Sequence, residues 1–108
     1  MKTNKKTVVI NGKPIHFEFN MRTWFIYCKA FGTSPENDLG SIDYSTDKGQ
    51  MLANLKIHPQ IIWALAKTAE PTIPSIKKWT KAVGPFNCVD VCSELEGIFP
   101  EVGVKNNV

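Results

Sequence analysis

A small α+β domain, an N-terminal β-hairpin packed on a bundle of about four helices, is the fold class that this sequence predicts. Three observations predict it. Residues 7–19 alternate around Asn11-Gly12, the pair best suited to the two positive φ angles of a type I′ turn. From Asn20 onward the apolar residues recur every three to four positions, the helical repeat. A chain of 108 residues that is 43% hydrophobic is long enough to bury one core and too short for two. Residues 1–108 are therefore read as a single domain, with an ordered core at about 7–99 and flexible tails at 1–6 and 100–108.

The Asn11-Gly12 turn pairs Ile10 with Lys13 and Val8 with Ile15. Val8, Ile10, Ile15, Phe17 and Phe19 then share one face, with His16 and Glu18 on the other. Pro14 marks an edge, because its missing N–H has to point away from the partner strand. A two-stranded ribbon is marginal alone, so its apolar face is expected to lie on helices. Asn20 caps a helix over 21–31 in which Met21, Trp24, Phe25, Cys28 and Phe31 form the apolar stripe and Ile26 falls off it. Gly32 ends it. Residues 33–46 carry Thr, Ser, Pro, Asn, Asp and Gly and read as a long loop.

A helical pattern restarts at Asp47 and meets Pro59, where a break or kink is expected. The stretch 59–69 holds Ile61, Ile62, Trp63, Ala64, Leu65 and Ala66 and is apolar almost all round. Such a helix is either central in the core or half covered by a second subunit. Thr72 and Pro74 open a short helix to Val83 with Ile76, Trp79, Thr80 and Val83 inward and Lys77, Lys78 and Lys81 opposite. After Gly84-Pro85, Asn87 caps a last helix with Cys88, Val91, Cys92, Leu95, Ile98 and Phe99 on its stripe.

Thirteen basic residues against ten acidic ones give a net charge of +3, short of what a dedicated nucleic-acid binder carries. Thr7-Val8-Val9-Ile10 is too brief for a secretory core or a membrane span. Three cysteines with no export signal point to a reduced, cytoplasmic setting without disulfides. Cys88 and Cys92, one helical turn apart, have a spacing that suits two thiolates on zinc, with Cys28, His16 and His58 as the other soft ligands. Their place on an apolar stripe favours core packing instead, so no metal or cofactor is expected. Neither His16 nor His58 has the setting of an activated base, and no glycine-rich phosphate loop opens a helix, so no catalytic residues are assigned. The two helices over 73–99 resemble a helix-turn-helix, the basis of an alternative reading as a small DNA-binding or regulatory protein. The second of them, however, turns Asp90, Glu94 and Glu96 outward with no basic residue, and phosphates would repel it. Three tryptophans and six phenylalanines are a heavy apolar load for this length, which favours a protein-binding role. Ile26, Ile61, Ile62 and Trp63, with the basic residues Lys77, Lys78 and Lys81, are the expected contact residues.

The order of elements also points to a family. The stretch Val8-Val9-Ile10-Asn11-Gly12-Lys13 through Phe19, a helix ending Phe31-Gly32, the run Ile61-Ile62-Trp63-Ala64-Leu65-Ala66-Lys67, and Pro71-Thr72 leading into Ile76-Lys77-Lys78-Trp79 together resemble the tail assembly chaperones of long-tailed bacteriophages and prophages. The likeness spans about residues 7–99 and consists of pattern and spacing. It implies a non-enzymatic protein of the host cytoplasm, absent from the mature virion, that binds the tape-measure protein and helps recruit tail-tube subunits. Self-association through the same apolar faces is a further expectation.

Overall fold

The computed structural model describes residues 4–98. In it β1 (Lys5–Ile10) and β2 (Lys13–Glu18) form an antiparallel hairpin. It is followed by α1 (Met21–Phe31), α2 (Pro35–Gly40), α3 (Asp47–Leu52), a π-helical turn (Ala53–Ile57), α4 (His58–Ala69), α5 (Ile76–Val83) and α6 (Cys88–Glu94). The hairpin register sets Val8 opposite Ile15 and Ile10 opposite Lys13, as the alternation requires. Asn11 and Gly12 both have positive φ, 52° and 79°, which explains glycine at the second position. Asn11 has a second task. Its amide nitrogen donates to the carbonyls of Val83 and Pro85, each at 2.9 Å, tying the hairpin tip to the α5–α6 connection.

Val8, Ile10 and Phe17 are buried, with Ile15 and Phe19 packed partly beneath them. That face lies on α4, which also packs against α1, α5 and α6. Burial on every side explains why α4 is apolar all round. Ile61, Ile62, Ala64, Leu65 and Ala66 are fully buried and Trp63 nearly so. The expectation that Ile61, Ile62 and Trp63 meet a partner is therefore corrected: they are the centre of the core.

Further expectations change. First, the long loop over 33–46 contains α2, whose start is set by the Ser34 side chain accepting from Asn37 N and by Pro35 in the first turn. Pro35 and Leu39 give this short helix two buried anchors. Second, strand pairing begins at Lys5, inside the tail expected at 1–6, and Lys6 Nζ donates to the carbonyls of Glu94 and Glu96. Residues 1–3 and 99–108, with Phe99 and the tail expected at 100–108, lie outside the described residues. Third, Pro59 does not break the chain direction. Residues at both joints of the π turn stay in helical conformation, and His58 N–H reaches back five residues to the Ala53 carbonyl. A wider turn placed just before a proline relieves the clash of its ring with the preceding helical carbonyls. At the other end of α4, a turn at residues 71–72 and an irregular stretch over 73–75 precede α5, which starts at Ile76. Pro74 thus lies outside α5, where its carbonyl accepts from Trp63 Nε1 at 2.9 Å.

Gly49, in the first turn of α3, is buried against the Asp43 carbonyl. A β-carbon there would overlap that oxygen and press on Thr46 Oγ1. Gly49→Ala is expected to cost about 1–3 kcal/mol, the range for an overpacked site, measured by urea unfolding. An unchanged midpoint would mean that residues 43–46 move aside freely.

Candidate protein-binding face

Helix α1 decides where apolar surface is left over. Its start is a capping box: Asn20 Oδ1 accepts from Arg22 N at 2.8 Å, and Thr23 Oγ1 accepts from Asn20 N at 3.2 Å. Thr23 also shares a buried hydrogen bond of 2.8 Å with Thr68 Oγ1 of α4, and Thr68 Oγ1 donates to the Ala64 carbonyl. One turn on, fully buried Tyr27 donates to Asp38 Oδ2 at 2.5 Å and lies 2.9 Å from Gln60 Oε1. A phenol has one proton, so the Gln60 amide satisfies this contact by presenting its nitrogen. These polar anchors turn the Thr23–Tyr27 side of α1 inward, with Ile26 and Phe31 packed partly against the core.

Of the stripe expected to be buried, Phe31 stays inward and Trp24 is half-buried, while Met21, Phe25 and Cys28 are turned outward. Met21 is 74% exposed and Phe25 65%, and Cys28 is exposed beside them. Trp24 is half-buried, its ring 5.0 Å from that of Phe19 and tilted by 58°. Phe19, Met21, Trp24 and Phe25, with Asn4 and Asn20, line an open groove of ≈ 490 Å³ with a mainly apolar wall. Exposed apolar side chains are ordinary one at a time; contiguous ones beside a groove mark binding surface. A second exposed set lies across the π turn, where Met51 and Leu55 are 60% and 74% exposed. Leu55 shares a shallow groove with Pro59, Phe86, Cys88 and Val89.

The reactive side chains are arranged differently. The Cys88 and Cys92 thiols are hydrogen-bonded to each other, which lowers the pKa of Cys88 and, with burial, raises that of Cys92. Among the described residues no group of three His, Cys, Asp or Glu is placed to hold a metal ion. Tyr44 Oη lies 2.9 Å from His58 Nε2, and burial lowers the His58 pKa, favouring the neutral ring. His16 Nδ1 lies on the outer face of the hairpin, 2.9 Å from Thr7 Oγ1. Lys77, Lys78 and Lys81 are exposed on α5, whereas Asp90 and Glu94 on α6 and Glu96 just after it are exposed beside no basic residue of that helix.

No family model, curated protein or solved structure matches this chain. Of the residues expected to touch partners, the structure leaves the three lysines on the surface, half-buries Ile26 and encloses Ile61, Ile62 and Trp63. Met21, Phe25 and Leu55 are instead the most exposed apolar residues of α1 and the π turn. The legible signal for α1 was that two different faces could be buried: residues 21, 24, 25 and 28, or residues 23, 26, 27 and 31. Among the described residues, no helix is long and apolar enough to cross a membrane.

Proposed function

We propose that this chain is a non-enzymatic tail assembly chaperone of a long-tailed phage or prophage. It holds the tape-measure protein in the host cytoplasm and helps recruit tail-tube subunits, without remaining in the virion. The α+β architecture and the order of its elements support the reading. One observation carries it: the core around α4 is filled, yet Met21 and Phe25 stand in solvent on one face of α1. Burying a Met or Phe side chain contributes about 1.5–3 kcal/mol, so this face holds free energy that docking of a client releases. Shielding an apolar client and yielding to tube subunits asks for such a surface, and for reversible contacts.

The test is a pull-down of the purified chain with the tape-measure and tube proteins encoded beside it. Retention of the tape-measure protein at low and moderate salt is expected. Loss of both at either salt would sink the proposal, and a shift of duplex DNA that weakens steeply with salt would replace it by the DNA-binding alternative.

A further inference from the structure

We infer that the exposed face of α1 takes an amphipathic helix whose apolar stripe is bordered by acidic residues. The inference rests on reading this face as a docking surface and adds the form and charge of its occupant. Met21, Phe25 and Cys28 stand at spacings of four and three, so the ridge runs along one side of the helix for about 10 Å. Trp24 and Phe19 wall the groove beside it. Because α1 satisfies its own backbone groups, it offers an incoming chain side-chain surface and no ladder of donors and acceptors. An extended segment laid there would bury its own N–H and C=O groups without partners. A helix brings its backbone already satisfied and presents side chains at matching intervals.

Charge selects among helices. Arg22 and Lys29, seven residues apart and both exposed, border the ridge on one flank, and α1 contains no acidic residue. Arg22 is held in place by donating from Nη2 to the Thr68 carbonyl at 2.7 Å. Glu18, whose side chain meets Asn20 at the groove, accepts from Asn20 Nδ2 at 3.0 Å and is half-buried. A second copy of this chain docking face to face would set Arg22 and Lys29 against their own counterparts. A helix with Asp or Glu along the facing edge meets them with opposite charge.

Two synthetic peptides of about 18 residues, long enough to form a helix on binding, test this. Both carry the same Leu stripe at i, i+3, i+4 and i+7; one has Glu and the other Lys on the bordering positions. Titration by fluorescence anisotropy is expected to show the Glu peptide binding about tenfold more tightly at low salt, with the gap closing as salt rises. Lys29→Glu should narrow or reverse that preference, and Phe25→Asp should weaken both peptides by about tenfold. Phe25 is exposed, so the variant keeps its fold, checked by circular dichroism. Equal binding of the two peptides, or full binding to Phe25→Asp, overturns the inference. Dimerisation that Phe25→Asp abolishes, with neither peptide bound, overturns it in favour of a second copy. If the tape-measure protein is retained equally by wild type and Phe25→Asp, this inference fails while the chaperone reading stands. If the Glu peptide binds as expected and the tape-measure protein does not, the reverse holds.

Discussion

Replacing Trp63 with alanine is expected to remove about 3–5 kcal/mol of folding stability, the usual cost of emptying a large aromatic site in a packed core. The side chain is 4% exposed, packs edge-on against Phe31 at a ring separation of 5.4 Å, and donates its indole N–H to the Pro74 carbonyl. That donation joins α4 to the turn before α5, so the variant loses packing and a tether together. Trp63→Phe separates the two: it keeps most of the ring and drops the hydrogen bond, whose exposed carbonyl can turn to water, at about 1 kcal/mol or somewhat more. Urea unfolding monitored by circular dichroism measures both. A Trp63→Ala chain that unfolds at the wild-type midpoint but loses client binding would restore Trp63 to the surface role that its sequence context predicts.

The second large effect belongs to Tyr27. Asp38→Ala takes away the carboxylate that accepts the buried phenol and also the partner of Thr33 Oγ1 at 3.2 Å. About 1–3 kcal/mol of stability should go with it, the range for a buried donor that loses its acceptor. Asp38→Asn, which keeps an acceptor oxygen, should cost less. Alkaline pH probes the same site. Burial first, then the hydrogen bond and charge of Asp38, raise the Tyr27 pKa above its ordinary value of 10.0. Above about pH 10 the unfolded chain releases this proton while the folded chain keeps it. The unfolded state then binds fewer protons, so stability falls as pH rises there and is unaffected by this group at lower pH. Tyr27→Phe removes one proton's share of that slope, about 1.4 kcal/mol per pH unit. Wild type and variant are compared by urea unfolding between about pH 9.5 and 11. Parallel slopes would show that the phenol ionises as readily in the fold as outside it.

Much of the architecture is readable from residues alone because local chemistry leaves few choices. Asn11-Gly12 supplies two positive φ angles, so the turn, the register and the buried face of the hairpin follow in one step. Asn20 and Asn87 cap helices at the positions where their side chains accept from the next turn. The all-round apolar run in α4 already named the two possible places for such a helix. Ser34-Pro35 shows the limit: the same residue types start a loop or a short helix, and the burial of Pro35 and Leu39, which the sequence does not show, decides it.

What the sequence by itself determined is the α+β class, the hairpin register and an all-round apolar helix over residues 59–69, since each follows from neighbours along the chain. Only the tertiary structure decided which apolar residues are inside. On α1 the more hydrophobic stripe lost to one holding Thr23 and Tyr27, because hydrogen bonds to Thr68, Asp38 and Gln60 exist only once α1, α2 and α4 meet. Buried polar groups that find partners cost little, while exposed Met21 and Phe25 cost only the burial forgone. That contest between long-range partners has no trace in periodicity, and its outcome is the face on which the proposed function rests.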